Sequence, residues 1–283
     1  MNILITGATG FVGKHLTATL KDKHKLFILA RPGSDCSSID AEGIFIFDDN
    51  LPMLTEYLCQ KKIDGVIHLA SLYIAEHKSG QIKDLILSNI FLGTALLEAC
   101  KEAKVKWFLN TGTIWQNYLA EDGSDAYRPV NLYAASKQAF MTMARYYMET
   151  SQIRFCTLKL CDTYGPDDTR RKIFALFEQI AQTGEILDMS PGEQLLDIIH
   201  IDDVVAGFER LVGMLDDTAY NLLPEYVLSS GNQVSLKELA SLYEQKFQVK
   251  LNIRWGGRPY REREVMRPYK GNVLEGWKPK VKF

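Results

Sequence analysis

Apolar positions in the first 165 residues come in short, nearly continuous runs, separated by stretches with helical spacing. The runs Asn2–Thr6, Lys25–Ala30, Ile44–Phe47, Gly65–Leu69, Lys106–Thr111 and Arg154–Leu160 predict six strands. Helical patterns lie between them at Phe11–Leu20 and at Ile82–Ala103, where Leu85, Ile86, Ile90, Leu96 and Leu97 recur as anchors. A third helix follows Pro129 and runs to about Met148. Strands that are apolar throughout, each followed by a helix, indicate a parallel sheet covered on both faces. After Tyr164-Gly165-Pro166 the elements shorten, and Pro191-Gly192, Pro224, Gly256-Gly257 and Pro259 punctuate them. The pattern therefore predicts an α/β domain over residues 1–165 and a smaller α/β lobe mainly over 166–283. Within that lobe, 195–215 is apolar enough to dock back on the sheet.

Composition narrows the function classes. The chain has 283 residues, 46% hydrophobic and 24% charged, with a formal net charge of −2, an ordinary globular mixture with no excess of cations for nucleic acid. No apolar run reaches the roughly 18–20 residues of a membrane span. The opening MNILITGATG is a strand running into glycines, without the basic start and apolar stretch of an export signal. Cys36, Cys59, Cys100, Cys156 and Cys161 are odd in number and scattered, which argues against a disulfide framework and a zinc site. A cytoplasmic protein without a bound metal is expected.

Chemistry first shows in the run Gly7-Ala8-Thr9-Gly10-Phe11-Val12-Gly13, between the first strand and the first helix. Glycines there allow a tight turn and a close approach of backbone to a pyrophosphate, which rests on the positive helix N-terminus. Gly13 has a separate task, letting helix and strand pack closely. The setting indicates a dinucleotide site. Sheets selective for NAD usually end the second strand with an acid that binds the ribose hydroxyls. Here Arg31 stands in that place, either as a bidentate partner for a 2′-phosphate or as a surface residue starting a turn. The first alternative points to NADPH, with NADH as the second choice. Asp48, after the third strand, either accepts from the adenine amino group or caps the next helix.

Tyr133-Ala134-Ala135-Ser136-Lys137 puts a phenol and an ammonium four residues apart on one helical face. A nearby ammonium favours phenolate and is expected to lower a tyrosine pKa towards neutral acid/base work. Tyr57-Leu58-Cys59-Gln60-Lys61 has the same spacing. Context separates the two, because Tyr133 follows Thr111, at the end of the fifth strand, by 22 residues. Sheet ligands gather at such ends. Tyr57 has no comparable hydroxyl before it and is read as a half-buried surface residue.

Together, the glycine loop, Thr111 and the Tyr133/Lys137 pair make the chain resemble the extended short-chain dehydrogenase/reductase family, in its nucleotide-sugar epimerase/dehydratase/reductase branch. Supporting stretches are His68-Leu69-Ala70-Ser71, Asn89-Ile90-Phe91-Leu92-Gly93-Thr94, Tyr164-Gly165-Pro166 and His200-Ile201-Asp202-Asp203-Val204. The resemblance implies a Rossmann-type doubly wound sheet with a C-terminal substrate-binding lobe. It places the cofactor on Gly7, Thr9, Gly10, Phe11, Val12, Gly13, Leu69 and Ala70, as well as on Tyr133 and Lys137. Tyr133 would exchange the proton at a sugar oxygen, Thr111 would hydrogen-bond that oxygen, and Lys137 would hold the nicotinamide ribose. His68 reads as a buried strand-end histidine rather than a base.

Departures from the family pattern select among its branches. The 4,6-dehydratases of the family carry Asp-Glu after the strand-five threonine, where this chain has Gly112-Thr113. The 3,5-epimerase-reductases carry a cysteine where Thr113 stands. The resemblance is then strongest to reductases of nucleotide-linked 4-keto-6-deoxysugars. The alternatives are a 4-epimerase that retains NAD and a cofactor-sensing regulator without catalysis. For the nucleotide-sugar substrate, Thr113, Trp115, Asp162 and Arg170 are the candidates. Asp162 replaces the asparagine usual before Tyr-Gly-Pro, and either binds a sugar hydroxyl or faces away. Trp115 either stacks on the ligand or fills the lobe interface. The clusters Arg170-Arg171-Lys172 and Arg258, Arg261 and Arg263 suit a diphosphate or are solvated surface. A homodimer is expected through helices 82–103 and 129–148.

Overall fold

The computed structural model describes residues 1–119 and 126–283. Strands β1 (Asn2–Thr6), β2 (Lys25–Ala30), β3 (Gly43–Ile46), β4 (Gly65–His68), β5 (Trp107–Thr113) and β6 (Arg154–Leu160) all enter one large sheet. Three short strands follow, β7 (Asp162–Tyr164), β8 (Leu187–Met189) and β9 (Leu195–His200), before β10 (Glu225–Leu228) returns to the large sheet's edge. The last two are β11 (Gln233–Ser235) and β12 (Ile253–Trp255). Strand order in the seven-stranded sheet is β10-β6-β5-β4-β1-β2-β3, with every pair parallel. This is a Rossmann-type doubly wound sheet, and its order reverses between β1 and β4. Ligands of such sheets sit in the crevice at that reversal, beyond the strands' carboxyl ends.

Helices α1 (Phe11–Leu20), α2 (Leu51–Gln60), α3 (Ile82–Ile86), α4 (Leu92–Glu102), α5 (Leu132–Thr150), α6 (Ile173–Thr183), α7 (Ile201–Asp216) and α8 (Leu236–Phe247) follow the chain. Alternation along the strands sends neighbouring side chains to opposite faces. Ile3, Ile5, Ile28, Ile67, Leu109 and Leu158 pack on one face beneath α1 and α7. Leu4, Phe27, Leu29, Val66, Phe108 and Phe155 pack on the other against α2, α4 and α5. Each such side chain, fully buried, contributes about 1.5–3 kcal/mol, so both faces of the sheet are strongly held. A third apolar cluster joins α6 and α8 with the short strands around Phe177, Met189 and Leu239.

Several boundaries differ from the sequence pattern. Strand β5 continues past Thr111, because Gly112 and Thr113 go on pairing with Lys159 and Leu160. Thr111 therefore lies inside the strand rather than at its end. Strand β9 pairs with β7 and β11 and not with the large sheet, whereas α7 covers that sheet. The short run Glu-Tyr-Val-Leu after Pro224 gave no clear strand signal, yet β10 aligns with β6. The long helix 82–102 contains a π-helical turn at Leu87–Phe91. No helix among the described residues is long and apolar enough to cross a membrane.

Candidate active site

At the sheet's reversal the chain turns sharply on Gly7, whose φ is +71°. A Cβ there would stand 2.7 Å from the Ala70 backbone nitrogen, and one on Gly13 would stand 2.2 Å from the Gly7 carbonyl oxygen. Gly10 is the N-cap of α1, with its N–H bonded to the Gly7 carbonyl at 3.0 Å. The turn thus leaves the start of α1 facing a cleft of about 270 Å³ lined by Gly7, Thr9, Gly10, Arg31, Leu69 and Ala70. The Ala70 N–H donates to the Thr6 hydroxyl (3.1 Å), which in turn meets His68 Nδ1 at 2.8 Å. Burial holds the His68 pKa down at about 3, so this ring is neutral and tethers β1 to β4.

Arg31 is an exposed part of that cleft wall, and its carbonyl also accepts the Ser34 N–H, so it does start a turn. No ion pair holds its guanidinium among the described residues. Asp48 is exposed and accepts the Asn50 N–H. The cap of α2 is Asn50, which accepts from Met53, so the capping alternative for Asp48 is corrected. Phe47, rather than Asp48, lines the cleft, as do Ser34 and Ser88. None of these three had a sequence signal. Phe11 turns its ring to the Arg170 guanidinium, 4.1 Å from the ring centroid, while Val12 reaches the neighbouring cavity.

That inner cavity, about 390 Å³, brings together Thr111, Thr113, Trp115, Tyr133, Asp162 and Arg170. Its size falls in the range of small-molecule sites. The Thr111 hydroxyl is buried and has no hydrogen-bond partner among the described residues. A buried hydroxyl left so costs stability unless a ligand completes it. Tyr133 stands in the first turn of α5, which Asn131 caps by accepting the Ala134 N–H at 2.9 Å. Lys137 lies one turn on and is 3% exposed. Burial lowers its pKa to about 8. Burial also raises Tyr133 to about 12, against a hydrogen bond with Ser71 that lowers it. Lys137 is not among the causes, so the expected downward shift of the phenol is corrected: desolvation wins. A phenol so placed is neutral and suits proton donation.

Two asparagines fix the cavity's upper rim. Asn89, in the π-helical turn, accepts from the Ser71 hydroxyl and the Leu72 N–H and donates to the Leu72 carbonyl and the Ser136 hydroxyl. Asn131 donates to the Ala75 carbonyl. Between these clamps stands Tyr73, its ring 5.0 Å from that of Tyr133 and edge-on to it. Sequence reasoning missed Tyr73, since a lone tyrosine in a loop has no spacing to mark it.

The polar candidates are unequally committed. Thr113 accepts the Trp115 N–H, leaving its own O–H to donate. Asp162 faces the cavity rather than away, 3.8 Å from Lys172 Nζ. Arg170 is held by Asp168 through two bonds, at 2.6 and 2.7 Å, and donates to the Thr163 carbonyl. Arg171, Lys172, Arg258 and Arg261 line an outer cavity that shares Tyr73, Trp115 and Asp162 with the inner one. Arg263 is elsewhere, over the Tyr118 ring. Tyr57 packs against Phe27 and Phe45 on α2, and Lys61 covers its ring.

A cleft built on a glycine turn at a helix N-terminus, and a separate cavity holding a half-buried tyrosine and an unpartnered threonine, fit a nicotinamide-dependent oxidoreductase of the class that acts on nucleotide sugars. The chain belongs to the NAD dependent epimerase/dehydratase family, whose model matches residues 3–222. It is 27% identical over 270 residues to a CDP-abequose synthase of Salmonella muenchen, covering 93% of this chain and 87% of that one. A CDP-abequose synthase of Yersinia pseudotuberculosis is 26% identical, with 100% and 97% covered. The fold is similar to that of a UDP-glucose 4-epimerase from Thermotoga maritima solved with UDP-glucose, at a TM-score of 0.84 and 18% identity, covering 100% of this chain and 94% of that one.

Proposed function

We propose that the protein reduces a nucleoside-diphospho-4-keto-6-deoxyhexose at C4, with NADPH as the preferred cofactor. The observation that carries this reading is the absence of an acid at the two positions after Thr111: Thr111 and Tyr133 share the inner cavity with Gly112 and Thr113, where a dehydratase of this family needs carboxylates. Residues 1–165 would hold the cofactor and the lobe 166–283 most of the nucleotide sugar. The glycine turn fits the cofactor, since a Cβ on Gly7 or Gly13 would fill space the backbone occupies. Bound there, the nicotinamide supplies a hydride.

Thr111 donates its unpartnered hydroxyl to the C4 carbonyl oxygen and orients it. Tyr133, kept neutral by burial, gives its proton to the alkoxide as the C4 oxygen gains charge. Lys137 would hold the nicotinamide ribose, and Arg31 would select the 2′-phosphate. Asp162 accepts from a sugar hydroxyl, while Arg171, Lys172 and Arg258 face the diphosphate from the outer cavity. The CDP-abequose synthases among the relatives make CDP the first nucleotide to test.

A homodimer is part of the same reading. Ile82, Ile86, Leu87 and Phe91 on one helix and Met143, Tyr146 and Met148 on α5 are exposed apolar groups, and α3 touches α5. Light scattering at micromolar concentration should give twice the chain mass, and a monomer there refutes it. Five cysteines without a disulfide fit the cytoplasm. The reaction is tested by mixing enzyme, NADPH and 4-keto-6-deoxyglucose linked to CDP, UDP, dTDP or GDP. One of these should oxidise NADPH in equal amount to product. Interconversion of two 4-hydroxy sugars with no net oxidation would establish an epimerase instead.

A further inference from the structure

A hexose held with C4 at Thr111 and Tyr133 offers two unlike edges, one with ring hydroxyls and one with C5 and its C6 substituent. The inner cavity also has two unlike walls. Thr113 and Asp162 make a polar one. Opposite in character is an aromatic wall, in which Tyr73 meets Tyr133 edge-on with ring centroids 5.0 Å apart and stands 5.8 Å from the Trp115 ring. Tyr73 and Trp115 border both the inner and the outer cavity, so they form the threshold between them. Tyr73 remains 49% exposed, with ring surface open to a ligand.

Its position is fixed with respect to Tyr133. Asn89 binds both backbone groups of Leu72, at 2.7 and 3.0 Å, and also Ser136 on α5. Asn131, the cap of α5, holds the Ala75 carbonyl at 3.0 Å. The segment on either side of Tyr73 is thus tied to the helix that carries Tyr133. A wall set this way can act on specificity, because it does not move away from a misfitting substituent.

We propose that Tyr73, together with Trp115, is a specificity-determining wall that takes the C6 methyl of a 6-deoxysugar and disfavours a C6 hydroxymethyl. The inference rests on the 4-ketosugar reductase reading. C6 is two bonds from C4, so a ring in contact with Tyr133 is within van der Waals reach of it. A methyl loses only unfavourable exposure to water there. A hydroxymethyl loses its hydrogen bonds to water against ring faces that return none. An apolar wall of this kind separates substrates that differ by one hydroxyl by up to about 100-fold.

The test measures kcat/KM in the oxidising direction with NADP⁺, on 6-deoxyglucose and glucose and on 6-deoxygalactose and galactose, linked in turn to CDP, UDP, dTDP and GDP. The wild type and Tyr73→Phe should favour the 6-deoxy member by at least ~10-fold, since the ring and not its hydroxyl forms the wall. Tyr73→Ala and Trp115→Ala should each bring the ratio close to one. If Tyr73→Ala slows both members by the same factor, or Tyr73→Phe loses the preference as Ala does, the wall is not the determinant. A wild-type enzyme that removes hydride from C4 of none of these sugars overturns the reductase reading, and this inference with it. Activity at C4 with an unchanged ratio in Tyr73→Ala overturns this inference alone.

Discussion

The cleft around Gly7–Gly13 is shaped by backbone, whereas the inner cavity around Thr111 and Tyr133 is shaped by side chains from several distant segments. In the first, closeness is the device: the Gly13 position leaves 2.2 Å between a would-be Cβ and the Gly7 carbonyl oxygen. In the second, the devices are a hydroxyl without a partner among the described residues, a half-buried phenol and aromatic rings held by asparagine clamps. The difference teaches where each function is encoded. Binding a shared dinucleotide needs a turn that only glycine permits. Choosing and reacting with one sugar needs chemistry that many sequences can supply from many places.

The comparison breaks most sharply at Tyr133. Tyr133→Phe keeps the ring against Tyr73 and removes only the proton. It should lower kcat by at least ~10²-fold, with the Kd for NADPH unchanged by fluorescence titration. Loss of cofactor binding together with rate would mean that the two regions are not separable there. Lys137 should respond differently, because it belongs to both. Lys137→Met should cut the rate and weaken the nicotinamide cofactor together.

The same substitution should raise thermal stability at pH 7. Burial lowers the Lys137 pKa from 10.5 to about 8, a cost on the order of 3 kcal/mol for holding the ammonium inside. The sign follows from linkage: below about pH 8 both folded and unfolded chains are protonated and the cost is fully present. Between about 8 and 10.5 the folded chain is neutral first, so wild-type stability should rise with pH and the advantage of Met should shrink. Melting curves at pH 7 and 9.5 check this. An equal gain at both would place the effect in packing rather than charge.

Arg31 gives the smallest expected effect and sharpens the comparison, as a cationic side chain in a cleft otherwise made by backbone. Arg31→Ala should raise KM for NADPH more than for NADH, by about 1–3 kcal/mol for a charge-assisted pair. Equal changes for the two cofactors would leave Arg31 as the turn residue that its bond to Ser34 also makes it.

Much of the fold was legible because parallel strands buried on both faces write themselves as unbroken apolar runs. Asn2–Thr6, Lys25–Ala30 and Arg154–Leu160 fall where the pattern puts them. The end of β5 was not, since Gly112 has weak strand preference and interrupts the apolar run, and it and Thr113 join by register with Lys159 and Leu160. Nor was β10, four residues whose place depends on pairing with β6 across a long connection. In the site, glycine spacing and the Tyr133–Lys137 turn were local and could be read. Tyr73 could not, because its meaning arises from Asn89 and Asn131, which are 16 and 58 residues away in sequence. The downward shift expected of Tyr133 failed for a related reason: helical spacing shows which groups are neighbours, but not how dry their surroundings are.

The central claim is that hydride passes from NADPH to C4 of a 4-ketosugar while Tyr133 supplies the proton. It is tested most directly with NADPH deuterated at nicotinamide C4, in both stereoisomers, and a nucleoside-diphospho-4-keto-6-deoxyglucose, by mass spectrometry of the product. One stereoisomer should give a sugar carrying one deuterium at C4, formed in equal amount to oxidised cofactor. Product that lacks deuterium with both stereoisomers, or that forms without net oxidation of the cofactor, would contradict it.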